Sequence, residues 1–242
     1  MVQSDQLPEA VPYEPHVGES RPYMRDIILG VNDGLVSIFL LVAGVVGGGL
    51  GRDDILLAII AGAIAGAISM AAGEYLATRS QEEVFDREIA LEQVHIAHHR
   101  NAEVDQLHAM FSEMGVADED LEAAVAAFSR DDEVLLNSMK VLEFGIIDAD
   151  RRSPYTAMWL SGLLFLAGSL PSVLPFLFTD STGIGLAIAA VLTAAGLFAV
   201  GAVKTVVTNT NPVKSGLENL VIAGIGGVLA FFIGRLVDGA IV

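Results

Sequence analysis

Glu88, Glu92, His95, His99 and Glu103 recur at steps of four, three, four and four in SQEEVFDREIALEQVHIAHHRNAE, residues 80–103. On a helix, those steps place all five side chains on one face. A stripe of carboxylates and imidazoles suits divalent transition metals: carboxylates favour harder ions, and imidazole favours iron, zinc, nickel and copper. The alternative is a solvated stripe of three acids with two ordinary histidines. Met139 and Glu143, four apart, offer a thioether beside a carboxylate, a softer metal corner, although such a methionine is also an ordinary core residue. A third group lies in apolar sequence. Asp33 opens the run NDGLVSIFLLVAG, and Met70 and Glu74 follow Gly62 and Gly66 at intervals of four.

The elements that must position these groups are helices. The chain has 242 residues, 53% of them hydrophobic, and the apolar ones come in blocks. The blocks are Ile27–Leu50, Ile55–Thr78, Ala157–Phe178, Gly183–Val207 and Gly216–Leu236. Each meets the length of about 20 residues that a bilayer span needs. One buried soluble core would not require five such runs. The expected fold is an all-α membrane protein: five transmembrane helices, with a cytosolic three-helix metal-binding bundle inserted between spans two and three. Residues 1–20, with Pro8, Pro12, Pro15 and four acids, read as a disordered tail. Residues 21–78 hold spans one and two, 79–152 the acidic insert, and 153–242 spans three to five.

The formal charge of −17 is concentrated in the insert, where 18 acids face 7 bases between Arg79 and Arg152. Such a field attracts cations and repels nucleic acid and anionic headgroups, so no nucleic-acid partner is expected. Within the insert, residues 80–103 lack proline and glycine and read as one long helix continuing from span two, with Val84, Leu91, Val94 and Ile96 free to pack. Asp118 is placed to cap a second helix, and Asp131 a third, Asp132–Glu143, with Gly145 just past its end. The chain has no cysteine, which excludes disulfides and thiolate metal sites. No basic region followed by a short apolar run marks residues 1–20 as a cleavable signal.

Basic residues set the orientation. Arg21, Arg25, Arg79, Arg87, Arg151, Arg152, Lys204 and Lys214 flank one set of span ends, while the opposite links carry only Arg52. The N-terminus and the insert are therefore expected in the cytoplasm. An ionisable side chain within a span is costly unless it faces protein or water, which makes Asp33 a functional candidate. Its alternative is a helix N-cap at the membrane surface. Ser37, Gly44 and Gly48 share its side. On span two, Gly62 and Gly66 form a GxxxG pair that admits a close neighbour, and the same face continues into Met70 and Glu74. Glu218 reads as a charge favoured by the start of span five.

With these residues in view, the chain resembles the vacuolar iron transporter family. The carrying stretches are RDIILGVNDGL (Arg25–Leu35), ISMAAGEYLATRS (Ile68–Ser80), MKVLEFGI (Met139–Ile146) and NPVKSGLENLVIAG (Asn211–Gly224). The resemblance covers nearly everything after the tail. It implies a homodimer, joined through its transmembrane helices, that moves Fe²⁺ and often Mn²⁺ out of the cytosol with proton antiport, along a path at the dimer interface. The family's pore aspartate and methionine correspond to Asp33 and Met70, and its metal-collecting residues to Glu92, Glu103, Met139 and Glu143. The chain departs from that pattern at His95, Gln106 and Lys140, where better-known members carry further glutamates. His95 keeps a ligand type, Gln106 is a weak one, and a protonated lysine cannot bind metal. Histidines would also make binding fall as pH drops through about 6.5.

The leading expectation is thus a divalent-metal exporter with no prosthetic group. Fe²⁺ or Mn²⁺ is the transported ion, and Zn²⁺ or Co²⁺ also suits the cytosolic stripe. It would be a multi-pass protein in a lipid bilayer, with a bacterial cell membrane expected and a vacuolar membrane as the alternative. A second reading is a membrane-anchored metal sensor or docking protein whose acidic bundle is the working part. An intramembrane enzyme is disfavoured, because HIAHH lacks the glutamate of HExxH and no second membrane acid in a protease-like glycine-rich context pairs with Asp33; the chain is not expected to be an enzyme.

Overall fold

The computed structural model describes residues 21–146, 151–208 and 211–241; the expected disordered tail and residues 147–150 of the insert lie outside them. The described residues form seven helices and no strand: α1 (Arg21–Gly47), α2 (Arg52–Glu113), α3 (Asp118–Phe128), α4 (Asp132–Leu142), α5 (Pro154–Phe178), α6 (Thr182–Thr208) and α7 (Pro212–Ile241). Five of them, α1, α2, α5, α6 and α7, are long and apolar enough to cross a membrane. α1 stops three residues short of the expected end of span one. The run Gly47-Gly48-Gly49 ends it, with Gly49 at φ +72°, a conformation that glycine adopts without a Cβ clash.

α1 and α5 form the centre of the membrane part, and α2, α6 and α7 pack around them. Glycines permit the closest crossings. A Cβ on Gly34 would overlap the carbonyl oxygen of Phe165, and one on Gly168 would overlap that of Val31, so α1 and α5 meet backbone to backbone. A Cβ on Gly234 would likewise overlap the carbonyl oxygen of Gly44, so α7 approaches α1 closely there. The GxxxG pair of α2 is used differently. Gly62 receives the side chain of Leu41, and Gly66 the ring of Phe165, so these glycines are sockets for side chains rather than a backbone crossing. Ile38, Val42, Ile55, Ile59, Phe165 and Phe176 fill the core between α1, α2 and α5. At the far end, Arg52 donates from Nε to the carbonyls of Phe176 and Thr179, both at 3.1 Å. Those bonds satisfy acceptors that the C-terminus of α5 leaves open.

Beyond the membrane part, α2 runs on to Glu113, but it is not straight. His99 has φ −134° and ψ 31°, outside the helical region, and the chain bends there. Ile96, Leu107 and Phe111 of α2 then close a second core with Leu121 and Val125 of α3 and Leu135 and Met139 of α4. Arg100 fixes the bend from outside: its Nε donates to Oδ1 of Asp132 at 2.8 Å, and its Nη2 donates to the carbonyl of Ser129. The expectation of one unbroken helix over residues 80–103 is corrected accordingly. Asp131 caps α4 as expected, accepting from the Val134 amide at 2.8 Å, and Gly145 follows at φ +63°. Asp118 does not cap α3; it is the first helical residue, and Ala117 takes the cap position without a side-chain bond. Of the four apolar residues expected to pack, only Ile96 is buried, while Val84, Leu91 and Val94 are exposed.

Candidate functional site

Glu92, His95 and Glu103 come together in the insert, each offering a ligand atom within 4.8 Å of the others. Nδ1 of His95 lies 3.6 Å from Oε2 of Glu92 and 3.4 Å from Oε1 of Glu103. On a straight helix, eleven residues would separate the two glutamates by about 16 Å along the axis. The bend at His99 removes that separation and folds Glu103 back toward Glu92. Glu92 is 2% exposed and Glu103 6%, and Oε1 of Glu92 has no hydrogen-bond partner. Burial first, and then the charges of Glu103 and Glu143, raise the Glu92 carboxyl to a pKa of about 7 against the opposing effect of His95. Two buried carboxylates that repel one another, with an imidazole between and an oxygen unused, form a donor set that a dication would relieve.

The other residues of the expected stripe are placed differently. Glu88 is half-buried and His99 exposed at the bend, and neither joins the group. Met139 is fully buried in the core of the insert. Glu143 follows α4 as its exposed C-cap, near enough for its charge to act on Glu92.

In the membrane part, Asp33 lies twelve residues beyond Arg21, the first residue of α1. It is therefore mid-helix, and the N-cap alternative does not hold. Ser37 Oγ donates to Oδ1 of Asp33 at 2.6 Å, and both residues are half-buried. Glu218, six residues into α7, likewise lies past the first turn of its helix. Met70 is half-buried against the α1–α2–α5 core. Packing fixes the levels of these groups. Phe165 touches Gly34 on one side and Gly66 on the other; one level nearer the insert, Ser161 and Gly162 lie between Gly30 and the pair Ala67 and Ala71. From the insert inward, the order is Glu74, Met70, Asp33.

Glu74 is not alone at its level. Its Oε2 lies 3.7 Å from Nη2 of Arg152, and the same nitrogen donates to Oδ2 of Asp26. Asp26 is completely buried, and the Arg152 guanidinium also lies 5.7 Å from the centre of the Tyr23 ring. Sequence reasoning missed Asp26 and Arg152 as a pair. A signal for Asp26 was present: it precedes Asp33 by seven residues, two helical turns on the same face. No sequence signal paired it with a residue 126 positions away.

Comparison with known proteins places this arrangement. The family model described as the VIT family matches residues 24–235. Vacuolar iron transporter 1 of Arabidopsis thaliana is 29% identical over 215 residues, covering 89% of this chain and 86% of that protein. Vacuolar iron transporter 2 of Oryza sativa subsp. japonica is 30% identical, with coverage of 89% and 87%. Protein CCC1 of Saccharomyces cerevisiae is 28% identical over 225 residues, with coverage of 88% and 68%. The match runs from the first membrane helix through the insert to the last one, and so takes in every candidate residue above; the chain belongs to the VIT family.

Proposed function

We propose that the protein is a homodimeric divalent-metal transporter that carries Fe²⁺, and also Mn²⁺, out of the cytosol in exchange for protons. One observation carries the reading: the Glu92–His95–Glu103 group, with both carboxylates buried, sits on the same helix, α2, as Met70 and Glu74. A cation collected by the insert thus has further ligands along one continuous element, and then Asp33 on α1. Relatives named as iron transporters support iron as the cargo. In this reading the insert is a cytosolic metal-collecting bundle, Glu143 and Met139 complete its site, and Glu88 and His99 are outlying cation attractors. The flanking basic residues support a cytosolic N-terminus, and the membrane assigned is the bacterial cell membrane.

A homodimer is supported by surface that one chain leaves uncovered. Val84, Leu91 and Val94, spaced seven and three apart, expose an apolar stripe on α2 beyond its membrane part. An apolar stripe in an acidic, water-facing segment marks a contact surface. The test of function is uptake of Fe²⁺ and Mn²⁺ by proteoliposomes, with and without a pH gradient. Flux that the gradient accelerates supports the reading. Metal binding by the full chain with no flux of any divalent ion would replace it with the sensor or docking reading.

A further inference from the structure

The Arg152 guanidinium lies between a carboxylate of α1 and a carboxylate of α2. Its Nη2 donates to Oδ2 of buried Asp26 and lies 3.7 Å from Oε2 of Glu74. The cluster is incompletely satisfied. Oδ1 of Asp26 and Nε of Arg152 are both buried without a hydrogen-bond partner. Orphaned atoms on a buried ion cluster are costly, and their retention calls for a reason. Within contact distance one guanidinium faces two carboxylates, with the charge of Arg25 also acting on Asp26 from the same helix. A divalent ion on the same carboxylates would neutralise both and use the orphaned oxygen.

Arg152 belongs to neither helix that holds the carboxylates. It lies in the link that returns from the insert, just ahead of α5. Its neighbour Arg151 grips α2 through Glu82 at 2.5 Å and Asp86 at 2.7 Å. The guanidinium is thus a cation on a tether that starts outside the membrane part. We propose that Asp26 and Glu74 form a divalent-cation site at the inner mouth of the membrane path, closed here by Arg152, which an arriving dication displaces. The place in a path rests on the transport reading; the site itself does not. The arrangement favours dications, because a monovalent ion brings no more charge than the guanidinium it must replace.

The test uses the full chain in detergent, carrying Glu92→Gln and Glu103→Gln to silence the insert, with Mn²⁺ as probe and free Mn²⁺ counted by its paramagnetic resonance. Arg152→Gln removes the competing charge and should tighten Mn²⁺ binding about tenfold relative to Arg152→Lys, which keeps it. Adding Asp26→Asn should cancel the gain. Equal affinity in folded Arg152→Gln and Arg152→Lys proteins would overturn the proposal. A second measurement needs no change at Arg152. Ser153→Cys supplies a cysteine to a chain that has none, next to the guanidinium. Mn²⁺ should speed its labelling by maleimide several-fold as the link leaves its place, and Asp26→Asn should abolish that effect; a rate indifferent to Mn²⁺ would overturn the proposal. Binding is read without flux. A chain that binds this way yet moves no Mn²⁺ defeats the transport reading and leaves the site standing. One that moves Mn²⁺ but binds it identically with Gln or Lys at the position defeats the site alone.

Discussion

Nδ1 of His95 lies 3.4 Å from Oε1 of Glu103, eight residues further along the chain. Those eight residues would span about 12 Å on a straight helix. The contact exists because α2 leaves helical geometry at His99 and Arg100 holds the bend against Ser129 and Asp132. The Glu92–His95–Glu103 group is therefore a product of tertiary packing in the insert, and metal titration of variants separates it from a mere acidic surface.

Glu92→Gln and Glu103→Gln are each expected to weaken Co²⁺ binding by about tenfold or more, as loss of a ligand does. Glu88→Gln and His99→Gln lie outside the group and should leave the affinity nearly unchanged. Calorimetric titration of the full chain checks this. Similar losses at all four positions would favour the straight stripe over the bent site.

The pH dependence follows from Glu92, whose carboxyl is lifted from 4.5 to about 7 by burial first and by the charges of Glu103 and Glu143. A raised carboxyl pKa means that its contribution to the metal-free fold is fully present below 4.5 and is lost as pH rises through about 7. Metal binding runs the opposite way, because the ligand must be ionised. Affinity should fall by about tenfold per pH unit below 7, with one proton released per ion bound. Glu92→Gln should flatten that slope. Affinities measured above and below pH 7 provide the check.

Met139 is fully buried, so its packing and ligand roles are separable. Met139→Ala should cost about 2–5 kcal/mol of stability through the cavity it leaves. Met139→Leu conserves volume and should cost less than about 1.5 kcal/mol. If the thioether is also a ligand, Met139→Leu will weaken metal binding while the unfolding temperature barely moves. An unchanged affinity would assign the residue to the core alone.

Gly34 and Gly73 give a contrast in packing. A methyl group at Gly34 collides with the backbone of α5, so Gly34→Ala should destabilise by about 1–3 kcal/mol. Nothing lies within 4 Å of a Cβ at Gly73, and Gly73→Ala should stabilise α2 by up to about 1 kcal/mol. Thermal unfolding of the detergent-solubilised chain reads both.

Much of this was legible from residue types alone. Five blocks of about 20 apolar residues have few alternatives to spanning helices, and Asp131 followed by an amphipathic run has the signature of a cap. The bend was not legible. HIAHHRNAE carries neither glycine nor proline, so nothing local breaks the helix; Arg100 and the shared core of α2, α3 and α4 do. Glu92 and His95 consequently meet by periodicity, three residues apart, and Glu103 joins them by folding back. Asp33 was ambiguous because Asn-Asp-Gly is turn-like, and only the start of α1 at Arg21 shows it to be mid-helix. In the sequence, Arg152 reads only as a basic residue flanking a span and Asp26 is not singled out, since their pairing depends on how α5 returns beside α1.

The central claim is that a dication crosses by way of Asp33. The direct measurement is Mn²⁺ uptake by proteoliposomes holding Asp33→Asn protein, alongside metal binding by the same preparation. The account predicts flux no greater than that of protein-free liposomes, with binding by the insert unchanged. Uptake at the rate of the unaltered chain would contradict it.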